Sequence, residues 1–252
     1  MRVLYDAPGT HGWITINEEH GTRSLLLNGC EEGAMALATD EPVFNYAWLH
    51  KCSWLIGRPL RRALVLGAGA FSVPKCLAID FPSAEIDAVD AEGELAAIAR
   101  RFFRLDLPAF GRIYFHGCLA ETFLADRPAP YDFIYDDLFD GFQHVPLMGR
   151  SAEHVHRLHD ALAGGGICLK NLIWNPLIAD TRSACTEVMD AWRATFPEHA
   201  TIVLGDPDGG HNLLLLGAAT SFAFDWTQTR QSLVAAGVPG RVLEHATFRR
   251  SA

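Results

Sequence analysis

The chain has 252 residues, 49% hydrophobic and 20% charged, which is enough for one sizeable core with a small appended subdomain. Thirty acidic residues against 21 basic ones give a net charge of −9; such a surface repels phosphate backbones and argues against nucleic acid as a partner. No apolar run approaches the ~20 residues that span a bilayer, and the N-terminus lacks a long apolar stretch, so the expectation is a soluble, cytoplasmic chain with no membrane partner.

Trp13–Ile16 and Arg23–Leu27 are short extended runs, each followed by a polar, glycine-containing turn, and they predict a β-hairpin. Residues 40–56 read as a helix, with Asp40 as its cap and Pro42 in its first turn. Together these elements form an expected N-terminal subdomain over residues 1–55, followed by a main domain over 56–252. In the main domain strands and helices alternate. Strands are expected at Ala63–Gly67, Glu85–Asp90, Arg112–His116, Tyr131–Asp137 and Ile167–Leu172. Helices are expected at Ser72–Phe81, Glu92–Leu105, Leu119–Leu124, Arg150–Leu162 and Asp180–Phe196, the fourth ended by Gly164-Gly165-Gly166. Thr201–Gly205 and Leu213–Gly217 have no helix between them and predict an antiparallel hairpin on one sheet edge. The tail from Asp225 reads as one more helix and a terminal segment. The fold class is therefore α/β: a Rossmann-like, doubly wound, mostly parallel sheet with an antiparallel edge hairpin, plus the small N-terminal β-hairpin subdomain.

Leu64-Val-Leu-Gly-Ala-Gly-Ala-Phe-Ser72 is an apolar run that stops at a glycine turn, and Asp87-Ala-Val-Asp90 is a second run that ends in an acid. This layout suits a nucleoside-bearing ligand. The glycines let the backbone approach it, and the later carboxylate accepts both ribose hydroxyls. A dinucleotide dehydrogenase is disfavoured, because Val73 stands where that fingerprint places its third glycine. Ligands on such sheets sit at the carboxyl ends of the strands, which brings Gly67–Ala70, Asp90 and Asp136-Asp137-Leu-Phe-Asp140 together.

The six cysteines show no metal-ligand spacing, and Cys168 reads as a core residue. His154, His156 and His159 do not share one helical face, so no metal is expected. His50 reads as a buried, satisfied histidine, Asp132 as a surface residue, and Asp136 as facing away from Asp137 because strand side chains alternate.

The order of these motifs resembles the spermidine synthase group: a hairpin, then Asp40-Glu41, Leu-Gly-Ala-Gly, Ala-Val-Asp-Ala-Glu, Tyr-Asp-Phe-Ile-Tyr-Asp-Asp, and Gly-Gly-Gly-Ile. The likeness runs from about His11 to about Phe248. It implies a small β-domain before a class I methyltransferase-like sheet, a homodimer, and S-adenosylmethionine or its decarboxylated form as donor, without a metal. Carried over position by position, Gly67, Ala68 and Gly69 match the glycine loop beside the donor. Asp90 and Ala91 match the ribose-binding acid and its neighbour, and Cys118 and Leu119 fall where adenine is met. Asp137 matches the aspartate that positions and deprotonates the attacking amine and also lies against the donor. Asp140 and His144 are further catalytic candidates in the loop that follows. Asn45, Tyr46 and His211 are candidates for the acceptor pocket, and His11 aligns loosely with a polyamine-contacting glutamine.

Five departures stand against the family pattern. Ala70 replaces an aspartate after the glycine loop, and Phe44-Asn45-Tyr46 replaces Tyr-His-Glu. The acid-glycine pair is lost around Cys118-Leu119-Ala120, and Pro207-Asp208 replaces a tyrosine pair. Gly141-Phe-Gln-His-Val-Pro146 also departs from the usual continuation. An aspartate at position 70 would repel a donor tail that carries a carboxylate, by about 4 kcal/mol at ~4 Å and an effective dielectric near 20. Alanine there favours S-adenosylmethionine itself. The leading expectation is therefore methyl transfer to a small nucleophilic acceptor. Aminopropyl transfer to a polyamine follows, then aminocarboxypropyl transfer or cyclisation of the donor. A non-catalytic nucleoside-binding protein is the rival from another class.

Overall fold

A computed structural model describes residues 1–126, 130–140, 144–205, 210–220 and 225–250, so the departures at Gly141–Gln143 and Pro207-Asp208 lie outside the described residues. The N-terminal sheet is larger than the expected hairpin. It has four antiparallel strands in the order β1 (Arg2–Pro8), β2 (Trp13–Glu19), β3 (Thr22–Leu27) and β4 (Cys30–Ala36). The β2–β3 turn uses His20 and Gly21 at φ 48° and 79°, and the β3–β4 turn uses Asn28 and Gly29 at φ 52° and 82°. Consecutive left-handed residues match the strand twist of a two-residue hairpin, and Asn-Gly is the pair that adopts them at least cost.

Residues 40–56 do not form the expected capped α-helix. Only Tyr46–Ile56 is helical, and it winds as a 3-10 stretch. Pro42 instead bridges Met35 of β4, and the Asp40 carboxylate accepts from Lys75 Nζ at 3.0 Å. His50 in this stretch is buried, its ring nitrogens lying 2.7 Å from the Ala47 carbonyl and 3.2 Å from Asp80 Oδ2.

The remaining chain alternates as its hydrophobic pattern predicts. The elements are β5 (Arg62–Leu66), α1 (Ser72–Asp80), β6 (Glu85–Asp90), α2 (Leu95–Phe102), β7 (Ile113–Gly117), α3 (Ala120–Ala125), β8 (Tyr131–Asp136), α4 (Ala152–Asp160), β9 (Leu162–Trp174) and α5 (Ala179–Thr195). β10 (Glu198–Gly205), β11 (His211–Ala218), α6 (Trp226–Ala235), α7 (Gly240–Glu244) and β12 (Ala246–Arg250) follow. The eight-stranded sheet has the order β12-β10-β11-β9-β8-β5-β6-β7. The run from β7 to β9 is parallel, and β11, β10 and β12 are antiparallel. The terminal segment β12 caps β10, so the β10–β11 hairpin is one strand in from the edge.

The sheet is buried on both faces. Ala63 and Val65 of β5 pack with Leu77 of α1 and with Leu49 of the 3-10 stretch. Leu64 and Leu66 pack on the other face with residues from α3, α4 and α5. A third cluster joins Ile14, Ile16 and Leu25 of the small sheet to Ala68, Ala70 and Phe71 of the glycine turn and to α2.

Two local readings are corrected. Gly164–Gly166 do not end α4, which stops at Asp160; they lie inside β9. β8 and β9 change register between Tyr131 and Phe133, and a side chain at Gly166 would meet the carbonyl oxygens of Tyr131 and Asp132 at 2.9 and 3.0 Å. The glycines therefore serve close strand approach at an irregularity. Asp132 is buried rather than on the surface, because it accepts from the backbone N–H groups of Arg61 and Arg62 at 2.8 and 3.1 Å and pairs with Arg58 at 2.6 Å.

Candidate functional site

Chain direction in the large sheet reverses its winding between β5 and β8, the place where doubly wound sheets open a crevice at their carboxyl ends. A cavity of about 310 Å³ lies there. Its floor is the turn Gly67–Ala70, which leaves β5. Gly67 has φ +83°, its N–H donates to Val89 O at 2.9 Å, and Asp137 N–H donates to Leu66 O at 2.8 Å. A side chain at Gly67 would collide with the carbonyl oxygen of Asp137. Glycine is thus required both by conformation and by the close passage of the loop after β8.

Asp90, the last residue of β6, accepts from the N–H groups of Ala68 and Gly69 through Oδ2, at 2.9 and 3.3 Å, and from Glu92 through Oδ1, at 3.0 Å. These bonds fix the plane of the carboxylate at the cavity wall. Burial nevertheless raises its pKa above the ordinary value, and the three N–H donors act against that rise.

Asp137 and Asp136 point to opposite faces and have opposite fates. Asp136 is fully buried under the sheet, where Lys170 Nζ donates to Oδ2 at 2.7 Å and His154 Nε2 lies 2.8 Å from it. Burial opposes the charge, but Lys170 and His154 hold the Asp136 pKa down at about 2. Asp137 lines the cavity, and Asn171 Nδ2 donates to its Oδ1 at 2.8 Å while Asn212 Nδ2 donates to Asn171 Oδ1 at 3.1 Å. Burial pushes Asp137 up to about 7, against the pull of the Asn171 bond.

The small sheet forms the roof. β4 crosses the glycine turn so closely that a side chain at Gly69 would meet Glu32 O at 2.9 Å, and one at Gly33 would meet Ala70 N and Cβ at 2.7 Å. This crossing places Glu31 and Glu32 at the cavity. Burial first, and then the charges of Asp137, Asp90 and Asp140, push the Glu32 carboxyl up to about 8. Its Oε1 is buried with no hydrogen-bond partner among the described residues. Phe44 and Tyr46, stacked with centroids 5.6 Å apart, supply an aromatic wall.

Of the residues expected at the site, Gly67, Ala68, Gly69, Asp90, Tyr46 and Asp137 line this cavity, whereas Ala91, Cys118, Leu119, Asn45, Asp140, His144 and His211 are not among its lining. Leu119 caps α3 and is 48% exposed, beyond the outermost strand β7 next to Cys118. Asp140 and His144 bind each other: Asp140 N–H donates to His144 O at 2.8 Å, and His144 N–H to Asp140 Oδ1 at 2.9 Å. His211 opens β11 and stacks on Trp174, with centroids 6.3 Å apart. Asn45 is exposed just before the 3-10 stretch. His11 donates its backbone N–H to Glu92 Oε2 at 2.9 Å, tying the β1–β2 loop to the turn after β6.

No model of a known protein family matches the sequence. Over 181 residues the chain is 25% identical to a polyamine aminopropyltransferase of Vibrio vulnificus; the match covers 71% of this chain and spans 57% of that relative's length. The structure superposes with a TM-score of 0.81 on a probable spermidine synthase from Corynebacterium glutamicum, at 21% identity, covering 99% of this chain and 91% of the other. The fold is spermidine synthase-like. Thermotoga maritima spermidine synthase matches with a TM-score of 0.66 at 15% identity, covering 97% and 87% of the two chains. Human methyltransferase-like protein 13, solved with S-adenosylhomocysteine, matches with a TM-score of 0.57 at 20% identity over 79% of this chain and 89% of its own.

Within this spermidine synthase-like fold, Glu31, Glu32, Ser72, Glu92, Asn171 and Asn212 are polar cavity residues that sequence reasoning missed. Asn171 was readable in principle: it follows Lys170 on β9, and β9 pairs with β8 so that Asp136 stands opposite Lys170. Glu32 gave no such signal, because its strand meets the site only through the crossing of β4 over the glycine turn. Among the described residues, no helix is long and apolar enough to cross a membrane, and no group of three or more His, Cys, Asp or Glu residues is arranged to hold a metal ion.

Proposed function

We propose that this protein transfers the aminopropyl arm of decarboxylated S-adenosylmethionine to an amine acceptor. One observation carries the reading. Five carboxylates, those of Glu31, Glu32, Asp90, Glu92 and Asp137, line the cavity, and no Lys, Arg or His is among the described residues lining it. A cavity so lined favours ligands with several positive charges, since buried cations require carboxylates or other acceptors around them. A sulfonium donor with an ammonium tail and a polyamine acceptor have that character. The carboxylate of S-adenosylmethionine would meet like charge there. Ala70 on its own argued for the carboxylated donor, but β4 brings the Glu32 carboxylate to the same turn. The similarity to a polyamine aminopropyltransferase supports the same direction.

The chain's own groups then divide the work. The Gly67–Gly69 turn allows close approach of the nucleoside, and Asp90 receives the ribose hydroxyls. Asp137, held by Asn171, takes a proton from the acceptor ammonium. A base with a pKa near 7 is matched to working pH. The freed amine nitrogen attacks the methylene carbon next to the sulfonium, a carbon–nitrogen bond forms, and the carbon–sulfur bond breaks. The thioether nucleoside leaves. Alignment of the amine with that bond is the main service of the cavity walls.

The test is product identity. The protein is incubated with either donor and a panel of diamines and polyamines, and products are read by mass spectrometry. Methylthioadenosine with an aminopropylated amine is the expected result. S-adenosylhomocysteine from S-adenosylmethionine would establish methyl transfer instead, and overturn the reading.

A further inference from the structure

Glu32 stands out among the cavity groups because no donor among the described residues satisfies its buried Oε1. Each carboxylate oxygen of Asp90 has a backbone donor, Asp137 Oδ1 has Asn171, and Glu92 Oε2 has the His11 N–H. Glu32 Oε1 is buried, lines the cavity and lacks any donor among the described residues. The groups facing it are Asp90 at the end of β6, Asp137 and Asp140 after β8, and the Tyr46 wall, beside its own neighbour Glu31. None is a cation. An ionised carboxylate left so among acids is costly, and none of the described residues facing it supplies a counter-charge. The ligand must.

Its position says which part of the ligand. Asp90 marks the sugar side of the cavity and Asp137 the acceptor side, so the sulfonium and its tail lie between them. β4 covers that interval, and the backbone of Glu32 touches the turn at Gly69, next to Ala70. Resting on the aminopropyl-transfer reading, we propose that Glu32 is a specificity-determining residue: its carboxylate accepts from the ammonium of the donor tail, and so selects the decarboxylated donor over S-adenosylmethionine. The counter-charge for the tail is thus delivered by the small sheet, from the roof, rather than by the glycine turn on the floor, where Ala70 cannot provide it.

The experiment compares wild type with Glu32→Gln and Glu32→Ala. Calorimetric affinities are measured for decarboxylated S-adenosylmethionine, S-adenosylmethionine and methylthioadenosine, which has no charged tail. A lost charge-assisted hydrogen bond predicts roughly a tenfold or larger loss of affinity for the decarboxylated donor in both variants. Methylthioadenosine affinity should stay within about twofold, which also shows that the pocket is folded. S-adenosylmethionine should bind as well or better, so the preference ratio collapses. An unchanged ratio in both variants overturns the proposal even if wild type makes methylthioadenosine from amines. A collapsed ratio without any aminopropylated product upholds the role of Glu32 and removes the proposed reaction. Wild type that binds neither donor overturns both.

Discussion

Asp137 takes its orientation from two amides rather than from a cation. Asn212 holds Asn171 at 3.1 Å, and Asn171 holds Asp137 at 2.8 Å. A neutral donor orients a carboxylate without forcing it to ionise, which leaves Asp137 free to exchange a proton near neutral pH. Asp137→Asn should keep donor affinity and abolish turnover, as read by calorimetry beside a product assay. Asn171→Ala should lower kcat by about tenfold, the worth of one hydrogen bond to a charged group. Because the Asn171 bond lowers the Asp137 pKa, its removal should also move the rising limb of the pH–rate profile to higher pH. A merely structural asparagine would lower activity without moving that limb. Asp90→Ala should cost roughly a hundredfold in donor affinity, since two hydroxyl bonds to a carboxylate are lost.

At the scale of elements, the decisive contact is the crossing of β4 over the glycine turn. Gly33 and Ala70 meet without room for another methyl group. Gly33→Ala should therefore wedge the two sheets apart, with an overpacking cost of about 1–3 kcal/mol and a Tm lower by about 2–4 °C per kcal/mol, together with weaker donor binding. This crossing also explains what could be read in advance. The glycine turn, Asp90 and Asp137 were legible because their spacing along alternating strands and helices fixes them at one sheet end. β4 was not, because Cys30-Glu-Glu-Gly-Ala-Met-Ala36 is poor in β-branched and aromatic residues and becomes a strand only through its neighbours. Everything β4 contributes, Glu32 above all, was hidden with it. The helix expected over 40–56 failed for a related reason. Its polar start is held instead by tertiary partners, Pro42 on Met35 and Asp40 on Lys75. The glycine tract has the composition of a helix stop, although its purpose is the tight passage of β9 along β8.

For the whole molecule, the buried acids make stability depend on pH in two opposite ways. Asp136 has its pKa depressed from 3.8 to about 2 in the folded state, so it stabilises above the unfolded value, and that contribution is lost as pH falls through about 2. Asp137 and Glu32 are raised, from 3.8 to about 7 and from 4.5 to about 8. For these two the folded state binds protons more tightly, so stability declines as pH rises from about 4 to about 8. The free protein should therefore melt at a higher temperature at pH 5 than at pH 8. Glu32→Gln or Asp137→Asn should remove part of that slope and raise the Tm at pH 8, by about 2–4 °C for each kcal/mol recovered. A scan of Tm against pH for wild type and both variants checks the sign.

Asp136 and Asp137 are neighbours in the chain, yet one is an anion held by Lys170 on one face of the sheet and the other, its pKa raised to about 7, lines the cavity on the opposite face. Only the pairing of β8 with β5 and β9, Asp136 opposite Leu66 and Lys170, decides which is which. Inserting a single residue upstream in β8 would leave the Asp-Asp dipeptide intact but put Tyr135 opposite Lys170 and strand that cation, whereas deleting one would put Asp137 opposite Lys170 and Leu138 at the cavity. The chemistry of this chain is therefore more fragile to a one-codon indel in that strand than to many substitutions around it.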